Sequence, residues 1–173
     1  TILDGADLGA LANALDGGAG NDTLTTYIAT TARLGATTGF EMLVKEGAGV
    51  LEVAGTASSV FDGVLVQRGS LDIQGGATMG TQSAAVSTGA ALNVDGDLAF
   101  TAGADTFTVA GTVTGTGAID MGDGDDQLTI FDFADTSGLA TALEGGAGND
   151  TLTADVDLSA TLGGTNGFET LVK

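Results

Sequence analysis

The chain has 173 residues, enough for one domain with a sizeable core, and carries 30 glycines among 43% hydrophobic residues with no proline, cysteine, tryptophan or histidine. Four basic residues, Arg33, Lys45, Arg68 and Lys173, stand against 23 acidic ones for a net charge of −19, which repels phosphate backbones and anionic lipid heads and disfavours nucleic-acid and membrane-surface roles. The Ala- and Val-rich content is too apolar for a disordered chain, and no run is long enough to cross a membrane as a helix. Nothing near Thr1 resembles a signal peptide, so the numbered chain reads as an excised or mature segment, and the lack of cysteine leaves the redox compartment open.

In chain order, Ala6 to Gly18 (ADLGALANALDGG) comes first, with Asp7 as an N-cap, Leu8, Leu11 and Leu15 at helical spacing and Gly17 as a stop. It reads equally as a short helix or as an irregular arc between strands. Gly17 to Thr25 follows as GGAGNDTLT, then GFEMLVK at Gly39 to Lys45. Short alternating segments come next: Leu51 and Val53, Leu71 and Ile73, Leu92 and Val94 point one way while Glu52, Asp72 and Asn93 point the other, the period of a β-strand. MGDGDDQLT (Met121 to Thr129), DTSGLATALEGG (Asp135 to Gly146), GGAGNDTLT (Gly145 to Thr153) and GFETLVK (Gly167 to Lys173) close the chain.

The late segments repeat the early ones. A shift of 128 positions aligns Thr1 to Lys45 with Thr129 to Lys173 without a gap and with 28 identities in 45. Residues 1–128 are therefore one full unit, and residues 129–173 begin the next in the same continuous array. Within the unit, large apolar residues follow glycine or alanine turns at Leu24, Leu51, Leu71, Leu92, Phe107, Leu128 and Leu152, in steps of 15 to 27 residues. Six coils of about 21 residues per unit mark an all-β solenoid, since strands this short bury a face only when stacked on their neighbours.

Leu43 to Gly76 (LVKEGAGVLEVAGTASSVFDGVLVQRGSLDIQGG) resembles the passenger-associated β-strand repeat of bacterial autotransporter passenger domains: Lys45, Gly47, Gly49, Leu51, Val53, Gly55, Gly69 and Leu71 fill its positions. GTVTGTGAIDMG (Gly111 to Gly122) is similar in style to passenger strands. The resemblance implies a right-handed parallel β-helix, exported by a Gram-negative bacterium and displayed at the cell surface, anchored in the outer membrane by a C-terminal barrel outside this chain. The corresponding function is that of a non-enzymatic adhesin segment forming a stiff stalk or filament. Its partners would be neighbouring repeats, further copies joined end to end, and an unidentified surface ligand.

GGAGNDTLT also matches the calcium-binding nonapeptide of RTX proteins, and MGDGDDQLT matches it except at the first glycine. The candidate metal ligands are Asp22, Asp126 and Asp150. Asp126 and Asp150 lie 24 residues apart, one coil rather than two consecutive nonapeptides, which leaves the cage of six to eight oxygens incomplete. The alternative function is accordingly a calcium-binding RTX-type or surface-layer repeat. No other cofactor is expected. Asp123, Asp125 and Asp126 suggest a β-helix glycosidase or polysaccharide lyase, but no histidine exists and no basic residue is near in sequence. Thr23/Thr25, Thr106/Thr108 and Thr151/Thr153 suggest the threonine rank of an ice-binding solenoid; Val50/Glu52, Ser70/Asp72 and Ala91/Asn93, taken as equivalent positions, interrupt it.

Overall fold

The computed structural model describes residues 1–9, 11 and 13–173. Each coil gives one short strand to each of three parallel sheets, as Met42–Glu46, Val50–Val53 and Ser58–Val60 do before the chain returns to the first sheet at Gly63–Val66. The sheets hold nine, six and eight strands. All their pairings are parallel between successive coils, which gives an all-β solenoid of about eight turns with coils of about 21 residues. Such strands form because alternation, β-branched residues and glycine turns coincide, and no proline removes a donor from the ladder.

All seven sequence anchors are buried, with Leu51, Leu71, Phe107 and Leu128 fully enclosed. They do not form one ladder, however. Leu51, Leu71 and Leu92 stack in the six-stranded sheet, whereas Leu24, Phe107, Leu128 and Leu152 lie in the nine-stranded sheet, whose inner column runs Leu24, Leu43, Val64, Ala84, Phe107, Leu128, Leu152. Along that true column the coils measure 19 to 24 residues and again number six from Leu24 to Leu152. Leucine alternation looks alike in either sheet, so the periodicity yields the number of coils without assigning each strand to a face.

The same register corrects the threonine reading. Thr23/Thr25 are followed, coil by coil, by Met42/Val44, Gly63/Leu65, Ser83/Ala85, Thr106/Thr108, Gln127/Thr129, Thr151/Thr153 and Thr170/Val172. The charged and amide residues thought to interrupt the rank belong to the six-stranded sheet. Asp135–Leu139 and Leu143–Glu144 are strands of the six- and eight-stranded sheets, so the second candidate is neither a helix nor an irregular arc. In the first candidate, Leu15–Asp16 is a strand and Ala10 and Ala12 lie outside the described residues.

Two corner and turn hydrogen bonds recur at the 128-residue shift. Asp4 Oδ1 accepts from Thr30 N at 2.8 Å and Asp132 Oδ1 from Leu158 N at 2.7 Å; Asp22 N donates to Glu41 Oε2 at 2.6 Å and Asp150 N to Glu169 Oε2 at 2.8 Å. Each pair is related by the 128-residue shift. Lys45 is among the largest fully buried side chains, and its Nζ donates to the carbonyls of Glu46, Gly47 and Arg68, each at 3.0 Å. Burial lowers its pKa, and the three carbonyls supply the acceptors that an enclosed ammonium requires. The turn that presents them needs Gly47, at φ 81°, where a Cβ would collide with the Ile28 backbone.

Two predictions test this packing. Leu71→Asp places an unpaired carboxylate between Leu51 and Leu92 and is expected to cost about 3–5 kcal/mol in chemical denaturation; unchanged unfolding would refute the register. Phe133, 58% exposed, has φ 68° where the earlier copy has Gly5 at φ 76°. The left-handed conformation costs a residue with a Cβ roughly 1–2 kcal/mol, and glycine returns part of that as chain entropy. Phe133→Gly is therefore expected to raise stability by about 0.5–1 kcal/mol, and calorimetry showing a loss would contradict the strain.

Candidate functional site: a carboxylate column along one corner

The residue immediately before each strand of the nine-stranded sheet, after the short edge pair Ile2–Leu3, is acidic or an amide: Asp22, Glu41, Asp62, Gln82, Asp105, Asp126, Asp150 and Glu169. Parallel stacking sets these positions one above another, ~4.8 Å apart. The column sits where the chain turns from the eight-stranded into the nine-stranded sheet. At such a corner the backbone N–H can point along the solenoid axis, and the carboxylate of the next coil meets it. Asp105 N donates to Asp126 Oδ1 and Asp126 N to Asp150 Oδ1, both at 2.8 Å, and Asp150 N continues to Glu169. Asp105 in turn accepts from Thr101 N at 2.7 Å and from Thr101 Oγ1 at 2.9 Å.

Asp22, Asp126 and Asp150, the three calcium candidates, thus occupy equivalent corner positions; Asp126 and Asp150 are neighbours in the column, and Asp22 lies several coils away. Glu41, Asp62, Asp105 and Glu169 are further members that motif matching passes over, because only two of the corners carry the full glycine string. The signal was an acidic residue or glutamine directly before every strand of one sheet, which becomes visible once the strands are assigned to sheets.

The glycine strings are the turns that lead into this column. Gly146 and Gly148, at φ 107° and 151°, stack against the carbonyls of Gly122 and Gly124, where a Cβ would overlap backbone. Ala147 N donates to Gly122 O at 3.0 Å and Gly124 N to Ala147 O at 2.8 Å, while Asp125 Oδ1 accepts from Asn149 N at 3.0 Å. What is left over is one oxygen on each central carboxylate: Asp126 Oδ2 and Asp150 Oδ2 are buried and find no hydrogen-bond partner, as does Asp22 Oδ2. Two such oxygens fall well short of the six to eight that calcium takes. Among the described residues no group of three or more Asp or Glu side chains converges on a metal-sized space.

Electrostatics make Asp126 the exceptional member. Burial raises its pKa above the ordinary 3.8, the hydrogen bond from Asp105 N opposes this, and the charges of Asp150, Asp105 and Asp125 add to the rise. Its side chain is 2% exposed, so it cannot touch a substrate in solution. Asp123 and Asp125, its partners in the glycosidase reading, lie on the outer side of the turn, with Asp125 occupied by Asn149. Beside the less buried stretch of the column, Glu41, Met42, Asp62, Gly63, Gln82 and Ser83 line an open groove of about 480 Å³; a side chain on Gly63 would meet Met42 Sδ.

No protein family, curated protein or solved structure matches the chain.

Because the folded state holds the Asp126 proton more tightly than the unfolded chain does, its contribution is fully present below the ordinary pKa and is lost as pH rises through the elevated one. Asp126→Asn keeps Oδ1 as acceptor for Asp105 N and removes the charge. The melting temperature is expected to rise by a few degrees near neutral pH, with the gain vanishing well below the ordinary carboxyl pKa. A loss of stability at neutral pH would show that the carboxylate is stabilising there.

Proposed function

We propose that this chain is a non-enzymatic, repetitive segment of a bacterial surface-exposed autotransporter passenger or adhesin, and that it works mechanically as a stiff stalk or filament. The observation that carries this reading is the recurrence of the corner and turn bonds 128 residues later in an unbroken three-sheet stack. A solenoid that re-enters its own register extends without a new core being invented for each unit. Lys45, with its three carbonyl partners, gives a structural role to the lysine on which the passenger resemblance rests. The burial of Asp126, the carboxyl with the raised pKa, supports a non-catalytic role. Anchoring to the outer membrane and display of an adhesive tip belong to regions outside this chain.

The second reading, a calcium-binding RTX-type or surface-layer repeat, is favoured by the two unpartnered oxygens of Asp126 and Asp150. It requires ligands beyond those the stacked turns leave free.

Length separates a stalk from a compact binding module. Chains of one, two and three units should lengthen by roughly 29 Å per unit, six coils at ~4.8 Å each, as read by small-angle scattering, with no change when EDTA is added. A maximum dimension that does not grow with unit number would reject the stalk. A melting temperature that climbs by many degrees in millimolar calcium would favour the calcium repeat instead. Surface display is read separately, by protease treatment of intact cells making the full protein: expected is release of this segment, and protection would reject it.

A further inference from the structure

We propose that the outer face of the nine-stranded sheet is a lateral docking surface for a second copy of this chain. The proposal goes beyond the stalk reading and holds for the solenoid whatever it is attached to.

The middle of this face is two columns that run the length of the sheet. One is Thr25, Val44, Leu65, Ala85, Thr108, Thr129, Thr153 and Val172; the other pairs Thr23 with Met42, Gly63, Ser83, Thr106, Gln127, Thr151 and Thr170. None of these residues is charged, in a chain of net charge −19. The other faces differ. The outer column of the six-stranded sheet reads Arg33, Glu52, Asp72, Asn93, and the eight-stranded sheet turns Asp16, Asp97, Asp120 and Glu144 outward. Two chains of this charge repel one another, and these two columns bring no charge into the contact to be desolvated; the outward charges of this sheet, Glu46 and Asp155, stand at the ends of its longer strands. Every side chain of the first column from Thr25 to Thr153 is only half-buried by its own chain, and threonine, valine and alanine lose little rotamer freedom when covered.

Size fixes the kind of partner. Eight rungs at ~4.8 Å and a breadth of roughly 13 Å give about 500 Å² per copy, or about 1,000 Å² for a pair. That is the lower limit of a specific interface, so one chain of this length pairs weakly. Each further unit would add about three-quarters as much area again, and the pairing tightens with repeat number by avidity. The columns themselves offer an ionic ligand no charge, and the open groove along one of them lies only over the rungs of Met42, Gly63, Ser83 and Thr106. A second solenoid presents the same pitch, rung for rung, along the whole sheet.

Sedimentation and small-angle scattering across protein concentration and salt, on the chain and on a two-unit version, test the proposal. The expected result is a pair whose cross-sectional radius grows while its length does not. Pairing should strengthen as salt screens the mutual repulsion and should be tighter for two units. Thr129→Glu and Ala85→Glu, both in the outer column, should each weaken it by about tenfold or more. Ala91→Glu, outward on the six-stranded sheet, should leave it unchanged, with circular dichroism confirming the fold of all three; should Thr129→Glu misfold, Ala85→Glu carries the comparison. Monomers at every salt concentration overturn the proposal, as do pairs that weaken with salt or survive both glutamates. Growth in length alone would assign association to the coil ends, and slowed ice-crystal growth without self-association would assign the face to an ice surface; either also overturns it.

Discussion

Parallel pairing of each coil with the next is the constraint on which the rest of this structure depends. It places every residue on its counterpart one coil away, as Leu71 sits between Leu51 and Leu92 and Thr129 between Thr108 and Thr153. Apolar on apolar is favourable and yields the inner columns. The same rule sets like on like wherever neighbouring coils share a residue type, as Gly146 on Gly122 and Asp150 on Asp126 do, so a preference at one position spreads along a stripe.

Stacked like charges are the difficulty this rule creates, and the chain meets it differently on each surface. At the corner, carboxylates are held by the backbone N–H groups of the preceding coil, which turns a row of acids into a row of acceptors. On the six-stranded sheet the acids are interleaved with complementary groups: Arg33 Nε lies 3.3 Å from Glu52 Oε2, and Asn93 Nδ2 donates to Asp72 Oδ1 at 2.8 Å while its Oδ1 accepts from Thr114. On the outer face of the nine-stranded sheet the two middle columns carry no charge, and Glu46 and Asp155 stand at strand ends. The chain's only fully buried lysine, Lys45, serves the backbone and forms no ion pair.

A stack of this kind supplies mechanical continuity more readily than chemistry. The groups with unusual electrostatics, Asp126 above all, are enclosed between coils, where their effect is on stability and its dependence on pH. What such a stack can do then rests on pitch, repeat number and what each outer face presents.

The sequence by itself determined the class and the count: alternation of Leu51, Val53, Leu71 and Ile73, the 128-residue duplication and the glycine turns require a repeating all-β stack of six coils per unit, because strands so short have no other way to bury a face. It also marked Asp22, Asp126 and Asp150 as equivalent corners. Only the tertiary structure decided which sheet each strand joins, and with it that Leu51 and Phe107 belong to different columns, that Glu41, Asp62, Asp105 and Glu169 complete the carboxylate column, and that the threonines share a face with Val44, Leu65 and Ala85. The physical reason is that period-two alternation fixes inside against outside within a strand and is the same in all three sheets. Assignment to a sheet is set by corner geometry, which depends on where the backbone of the neighbouring coil lies.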